Sequence, residues 1–168
     1  MEDRNKELLE KAEKTAEALI YKLKERSLTL ALAESCTGGL VSALLAGVPG
    51  ASEVLWGSFV TYTKEAKVSA LGIEEKIPET FGLVSKETAC AMAQGALSKS
   101  GAFIAASVTG LAGPSGDGSK IKVGTVWTAT VSKKGEIMAK EHYFTGTRNE
   151  VRIYAAIAAL EMLQTLTL

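Results

Sequence analysis

Several features that define other classes of protein are scarce in this sequence. Two cysteines, Cys36 and Cys90, are too few to build a disulfide scaffold in a chain of 168 residues. They also lie far apart, and His142 is the one histidine, so the sequence offers no spacing typical of a metal site. We therefore expect neither a metal ion nor another bound cofactor.

A long apolar segment and an excess of charge of one sign are missing as well. No apolar run approaches the roughly 18 to 20 residues that span a membrane, and the charged N-terminal segment lacks the apolar core of a signal peptide. Lys plus Arg and Asp plus Glu both number 19, so no global field favours nucleic acid or an anionic membrane. With 46% apolar residues, the composition is that of a globular protein. We expect a cytoplasmic protein with no membrane and no nucleic-acid partner.

What the sequence does contain is an alternation of helical and strand-like segments. Apolar residues recur at spacings of three and four over residues 1–26 and predict an amphipathic helix. A second helix is predicted to reach about residue 45, and others are predicted over 64–71 and over 88–97, the latter with Ser85 as its N-cap. The capping box Thr147-x-x-Glu150 predicts the start of the last helix, and residues 78–82 are predicted to form a connector. Strands are predicted over 28–33, 54–62, 103–109, 123–131 and 136–144. This order predicts one α/β domain, residues 1–168, with helices on both faces of a mixed, mostly parallel sheet.

The loop after the first predicted strand, residues 33–39 (AESCTGG), is a candidate ligand site. Open α/β sheets bind ligands beyond the carboxyl ends of their strands. This loop places the hydroxyl of Ser35 at a strand end, followed by a helix N-terminus whose N–H groups can bind an anion or an oxyanion. The alternative is structural: Ser35 or Thr37 caps the helix, and Gly38 and Gly39 ease a tight turn.

Two further loops have compositions that suit a ligand. The loop 110–122 is rich in glycine, which lets backbone amides approach a ligand closely. It matches neither a P-loop nor a dinucleotide-binding motif, and a flexible surface loop is the alternative. Arg148 and Arg152 lie one turn apart at the start of the last predicted helix and can form a phosphate clamp. Two solvated helix arginines are the alternative there.

A serine–lysine pair is the simplest nucleophilic chemistry that these residues allow. Ser35 is the candidate nucleophile, and Lys67 can act as its general base if burial lowers the lysine pKa from about 10.4 toward neutrality. Tyr62, at the end of the second predicted strand, can relay or donate a proton. Cys36 is an alternative nucleophile without an evident histidine partner, because His142 is predicted to be a half-exposed strand residue. Lys67 and Tyr62 can equally be an exposed lysine and an interface tyrosine.

Five motifs taken together resemble the CinA C-terminal domain family in their order and spacing. They are AESCTGG at 33–39, FVTY at 59–62 with EAK at 65–67, LVS at 83–85, VTGLAGP at 108–114 and VGTVW at 123–127. Each motif is weak alone, but the set is specific and covers most of the chain, from about Leu28 to the last helix.

The resemblance implies a fold, a reaction and a set of residue roles. The family fold is a three-layer α/β/α sandwich around a mixed five-stranded sheet, and its stand-alone members convert nicotinamide mononucleotide and water to nicotinate mononucleotide and ammonia. This reaction belongs to pyridine-nucleotide salvage and needs no metal. The implied catalytic residues are Ser35 as nucleophile, Lys67 and Tyr62. The implied or expected substrate-binding residues are Thr109, which contacts the reacting amide, Arg148 and Arg152, which bind the phosphate, and the glycines Gly38, Gly39 and Gly110.

Three positions depart from the family pattern. Lys64 replaces an asparagine, and it would lower the Lys67 pKa further if it pointed into the site but be neutral for function if it pointed out. Ile121-Lys122 stands where Lys-Pro is common, and Thr147 stands where aspartate is usual. None of these changes removes a residue that the serine–lysine chemistry requires.

The resemblance leaves two other functions open. One is a CinA-like interaction module without activity, linked to competence or the DNA damage response. The other is a phosphate-binding domain that acts on a different nucleotide. An interaction module has little reason to keep Ser35, Tyr62, Lys67 and Thr109 at separate loop ends. The sequence opens directly with the amphipathic helix, so we expect the stand-alone form, and a homo-oligomer with a dimer favoured.

Overall fold

The computed structural model describes residues 2–166, with side chains from residue 4 onward. The helices are α1 (Glu2–Glu25), α2 (Leu40–Ala46), α3 (Lys64–Leu71), α4 (Lys76–Phe81), α5 (Lys86–Ser100) and α6 (Arg148–Leu166), with a short 3₁₀ helix at Ala51–Glu53. The strands are β1 (Leu30–Glu34), β2 (Leu55–Val60), β3 (Ile104–Gly110), β4 (Thr125–Ser132) and β5 (Ile137–Tyr143). None of the helices within residues 2–166 is long and apolar enough to cross a membrane.

The five strands form one mixed sheet in the order β2-β1-β3-β4-β5. β1 pairs in parallel with β2 and β3, whereas β4 runs antiparallel to both β3 and β5. Four of the five strands therefore point the same way, and β1 lies between two parallel neighbours. The predicted mixed, mostly parallel α/β sheet is confirmed.

Helices cover both faces of this sheet because the strand residues alternate between two apolar cores. Leu30 and Leu32 of β1 face the core shared with α1, α2 and α6. Ala31 and Ala33 face the other core, which receives residues from α3, α4 and α5. All five residues of β1 are buried, as expected for a central strand with helices on both faces. The result is the expected three-layer sandwich.

Side-chain caps begin two helices, α5 and α6, at the predicted positions. Ser85 caps α5 by accepting a hydrogen bond from the N–H of Thr88 at 3.1 Å. At the start of α6 the Glu150 carboxylate accepts from the N–H of Thr147 at 2.6 Å, and the Thr147 hydroxyl accepts from the N–H of Glu150 at 3.3 Å. The predicted capping box is therefore confirmed.

The predicted connector at residues 78–82 is wrong, because α4 occupies Lys76–Phe81. Pro78 sits in the first turn of this helix, where a residue has no intrahelical acceptor for its N–H and proline is tolerated. Gly82 then ends the helix with a φ of 88°. Pro78 lies inside this short helix and Gly82 directly follows it, although the same two residue types are also typical of a loop.

Candidate active site

Three strand ends meet at one edge of the sheet and place Ser35 between its neighbours. The backbone N–H of Ser35 donates to the carbonyl of Val108 on β3 at 2.9 Å. On the other side, the N–H of Thr61 donates to the carbonyl of Glu34 at 2.8 Å. The hydroxyl that follows β1 is therefore fixed between the carboxyl ends of β2 and β3, where open α/β sheets bind ligands.

Lys67 reaches Ser35 from the first turn of α3. Its Nζ lies 3.0 Å from Ser35 Oγ, 2.6 Å from the carbonyl oxygen of Thr61 and 3.5 Å from that of Tyr62. Only 1% of Lys67 is exposed to solvent. Thr63 fixes this turn, because its hydroxyl accepts from the N–H of Ala66 at 3.2 Å.

Burial changes the protonation of Lys67. Loss of hydration lowers the pKa of this ammonium group from 10.5 to about 8, because the charged form is the one that burial disfavours. No carboxylate forms a salt bridge with Lys67 among the described residues. The neutral amine has two N–H groups and one lone pair. The carbonyls of Thr61 and Tyr62 can accept both N–H groups, which leaves the lone pair facing the Ser35 hydroxyl.

Lys64 points away from this pair. Its ammonium group lies 2.9 Å from the carboxylates of both Glu75 and Glu79, and these hydrogen bonds hold the pKa of Lys64 above its ordinary value. The low pKa of Lys67 therefore arises from burial and not from a second lysine. Of the two alternatives for Lys64, the structure shows the outward one.

Glu34 is a buried carboxylate that organises the turn carrying Ser35. It is 1% exposed and accepts from the hydroxyls of Thr37 at 2.8 Å and Ser58 at 3.1 Å. It also accepts from the N–H groups of Val41 at 3.0 Å and Ser42 at 2.9 Å. The expectation that these helix N–H groups are available to an anion is thus wrong, because the chain's own carboxylate already occupies the start of α2.

Cys36 lies beside Ser35 but is poorly suited to act as a nucleophile. The residue is 5% exposed, and burial raises the pKa of its thiol to about 12. A thiol attacks as the thiolate, which is almost absent near neutral pH at such a pKa. The hydroxyl of Ser35, with an amine at hydrogen-bond distance, is the better candidate.

A cavity of about 210 Å³ opens over Ser35 and Lys67. Its walls come from the strand ends, from the residues before α5 and from the loop after β3. The lining residues include Cys36, Tyr62, Leu83, Val84, Thr109, Gly110, Leu111, Ala112, Gly113, Ser115, Asp117 and Arg148. Six of the nine predicted site residues thus line the cavity: Ser35, Tyr62, Lys67, Thr109, Gly110 and Arg148.

Arg148 and Tyr62 form the mouth of the cavity. The Arg148 guanidinium donates to the carbonyl of Gly113 at 2.6 Å and to the phenol oxygen of Tyr62, also at 2.6 Å. Both Arg148 and Tyr62 are exposed, and Tyr62 is 53% accessible. The phenol therefore contacts the arginine, while the backbone carbonyl of Tyr62 is the part that contacts Lys67.

The other predicted binding residues have structural contacts. Gly38 and Gly39 adopt φ values of 60° and 93° in the turn before α2, outside the cavity lining. Arg152 donates to the carbonyl of Thr37 at 2.8 Å and so stabilises the same turn, without lining the cavity. Gly110 does line the cavity, but an added Cβ would lie 2.7 Å from the carbonyl oxygen of Thr125. Their contribution to substrate binding stays a prediction.

A larger cleft of about 760 Å³ lies elsewhere, between β5 and α6. It contains His142, whose ring nitrogen lies 3.0 Å from the Thr128 hydroxyl, and the stacked rings of Phe144 and Tyr154. Across residues 2–166 no group of three or more His, Cys, Asp or Glu side chains could hold a metal ion. Ser35 and Lys67 line the smaller cavity and not this cleft.

Sequence reasoning did not identify Glu34, Leu83 or Asp117 as parts of the site. Glu34 directly follows the apolar residues of β1 and shortly precedes the start of α2. That position in the sequence was the available signal for its capping role. Leu83 takes part through its backbone carbonyl, which carries no sequence signal. Asp117 lies in the glycine-rich loop, whose path over the cavity depends on the tertiary structure.

The fold and site define a class of protein: an α/β sandwich with a buried serine–lysine pair at the carboxyl edge of its parallel strands. Residues 12–167 match the model of the CinA C-terminal domain. The chain belongs to the CinA C-terminal domain family.

Relatives and solved structures agree with this assignment. A CinA-like protein of Dictyoglomus thermophilum is 42% identical over 88% of this chain, and a putative competence-damage inducible protein of Caldicellulosiruptor bescii is 43% identical over 88%. The chain spans 36% of the length of each, about a third. The crystal structure of the competence/damage inducible protein CihA from Agrobacterium tumefaciens superposes with a TM-score of 0.91 at 40% identity, covering 94% of this chain and 96% of that one. A CinA superfamily protein from Escherichia coli gives 0.88 at 32% identity, covering 92% and 90%.

Proposed function

We propose that this chain is a cytoplasmic nicotinamide-nucleotide amidohydrolase that converts nicotinamide mononucleotide and water to nicotinate mononucleotide and ammonia. One observation carries the proposal: Lys67 Nζ, buried and with a lowered pKa, lies 3.0 Å from Ser35 Oγ. A buried lysine without a carboxylate partner lowers the stability of the fold. Its position beside the Ser35 hydroxyl in a cavity supports a catalytic role for the lysine. The family resemblance supplies the substrate.

The geometry of the pair supports the following reaction. Neutral Lys67 takes the proton of the Ser35 hydroxyl as Oγ attacks the carboxamide carbon. The N–H of Cys36, directly after the nucleophile, can donate to the developing oxyanion. The ammonium of Lys67 then returns the proton to the amide nitrogen, which leaves as ammonia. Water hydrolyses the resulting Ser35 ester with Lys67 again as the base, and this step releases the carboxylate product.

Arg148 supplies the cation for the nucleotide phosphate. It is exposed at the cavity mouth, and within the described part of the chain it makes two hydrogen bonds, one to a neutral phenol and one to a backbone carbonyl. A phosphate oxygen is a stronger acceptor than either of these groups. We propose that the carboxamide lies at Ser35 and that the 5′-phosphate reaches the Arg148 guanidinium. Tyr62 then acts by orienting Arg148.

The competing hypothesis, an interaction module without activity, gives no reason for the burial of Lys67. A module that binds its partner through the outer surface gains nothing from an internal amine that is 1% exposed. Apolar residues would fill that position at lower cost. The names of two relatives mention competence and damage, but the geometry favours an enzyme.

The direct test is ammonia release from nicotinamide mononucleotide by the purified chain. We expect turnover by the unmodified protein and none by Ser35→Ala, because no other hydroxyl replaces the nucleophile. Cys36→Ser is the matched control and should remain active, since its buried thiol has no role in the reaction. Activity of Ser35→Ala near that of the unmodified protein would move the nucleophile to another group.

A further inference from the structure

Thr109 carries a hydroxyl whose single hydrogen is already committed. Its Oγ1 donates to the backbone carbonyl of Leu83 at 2.8 Å. Thr109 is the penultimate residue of β3 and is 1% exposed, and Leu83 belongs to the segment that precedes α5. Both residues line the cavity over Ser35.

This hydrogen bond fixes what Thr109 can offer to a ligand. A carbonyl oxygen can only accept a hydrogen bond, so the hydroxyl hydrogen must point at Leu83. The remaining lone pairs of Thr109 Oγ1 then act only as acceptors. Another donor in the cavity can satisfy them, but another acceptor cannot.

The position of Thr109 relative to Ser35 completes the argument. Ser35 is bonded to Val108 of β3, so Thr109 flanks it on one side, while Lys67 flanks it on the other. A carboxamide whose carbon lies at Ser35 Oγ can therefore turn its NH₂ group toward Thr109. That group has two hydrogens to donate, whereas the corresponding oxygen of a carboxylate has none.

We infer that Thr109, oriented by the Leu83 carbonyl, selects a carboxamide against the corresponding carboxylate. This inference rests on the proposed function and deepens it. The amide substrate satisfies the Thr109 lone pairs, and the carboxylate product brings a charged acceptor against a hydroxyl whose residue is 1% exposed. Thr109 thereby favours binding of the substrate and release of the product.

The test compares the affinities of a matched pair of ligands, nicotinamide mononucleotide and nicotinate mononucleotide. Binding is measured by titration calorimetry in a Ser35→Ala background, which prevents turnover. A pH of 9 keeps Lys67 mostly neutral, so that its ammonium does not attract the carboxylate. The variants are Thr109→Val, Thr109→Ser and, as a matched control, Ser107→Ala. Ser107 lies two residues earlier on β3 and donates in the same way to the Ala89 carbonyl at 2.6 Å, away from the cavity.

We expect the background protein to prefer the amide, and Thr109→Val to reduce that preference by about tenfold or more. Thr109→Ser should restore the preference, and Ser107→Ala should leave it unchanged. Equal weakening of both ligands by Thr109→Val, or the same change in Ser107→Ala, would overturn the inference. Failure of the unmodified chain to release ammonia or bind either nucleotide would instead overturn the proposed function, and the selectivity would fall with it.

Discussion

Among residues 4–166, Lys67 is the largest fully buried side chain, ahead of the leucines and isoleucines of the core. Its amine ends among a hydroxyl and two backbone carbonyls. These neighbours are neutral acceptors, so no negative charge among the described residues forms a salt bridge that would offset the penalty of burying the ammonium group. The lysine therefore behaves as a weak base near neutral pH, which is the property that a serine nucleophile requires.

Replacement of Lys67 should test this residue pair directly. We expect Lys67→Met to lower kcat by about 10³-fold, because the general base and its positioning are both lost. Lys67→Arg should not restore activity, since a guanidinium does not lose its proton in this range. Lys64→Met is the control and should cost little, because Lys64 pairs with Glu75 and Glu79 outside the site.

The same pair predicts the pH dependence of the unmodified enzyme. Only neutral Lys67 accepts a proton, so kcat/KM should rise with pH and level off above the lysine pKa of about 8. Substantial activity in Lys67→Arg, or a rate independent of pH between 6 and 9, would show that Lys67 acts as a fixed cation.

At the scale of the element, the first turns of α6 carry two arginines for which the sequence predicts the same role, phosphate binding. Arg148 and Arg152 lie one turn apart, yet they contact different parts of the molecule. Arg148 reaches across the mouth of the cavity to Gly113 and Tyr62. Arg152 instead donates to Thr37 and supports the turn before α2. The start of α6 therefore contacts both the loop after β3 and the turn that follows Ser35.

This difference predicts different kinetic effects for the two arginines. Arg148→Ala should raise KM for nicotinamide mononucleotide by about 10-fold or more but change the KM for nicotinamide riboside little, because the riboside has no phosphate. Arg152→Ala should affect both substrates alike, through the Ser35 turn. Steady-state kinetics on the two substrates measure this, and equal losses on both in Arg148→Ala would assign that residue a structural role.

At the scale of the whole molecule, the buried amine should cost stability in a pH-dependent way. The pKa of Lys67 is about 8 in the folded state and 10.5 as the ordinary value, so the unfolded chain binds more protons between these limits. The free energy of unfolding therefore carries a penalty that is full below pH 8 and disappears as the pH rises through 10.5.

Lys67→Met should remove this penalty. Between pH 7 and pH 10 the unmodified protein should gain about 2 to 3 kcal/mol of stability relative to Lys67→Met, as measured by denaturant unfolding of both proteins. Any cost of leaving the Thr61 carbonyl unpaired does not depend on pH and cancels in this comparison. A difference in stability that is constant across this range would contradict the burial of a titrating amine.

Much of this molecule follows from local patterns in the sequence. The apolar run of β1, the alternation of strands and helices, the Ser85 cap and the Thr147–Glu150 capping box each depend on neighbouring residues, and the structure confirms them. Short helices are harder to predict, because α4 begins at Lys76 with a proline in its first turn. The five motifs also indicated the family, because their order and spacing can be read from the sequence alone.

The tertiary structure alone decided which polar groups are available for chemistry. Glu34 and the N–H groups of α2 satisfy each other, so the predicted anion site is closed by a residue of the same motif. Lys64 and Lys67 lie three residues apart, yet one pairs with glutamates at the surface and the other is buried beside Ser35. The physical reason is that hydration and hydrogen-bond partners depend on distances between segments that are far apart in sequence. Those distances exist only once β1, β2, β3 and α3 have packed together.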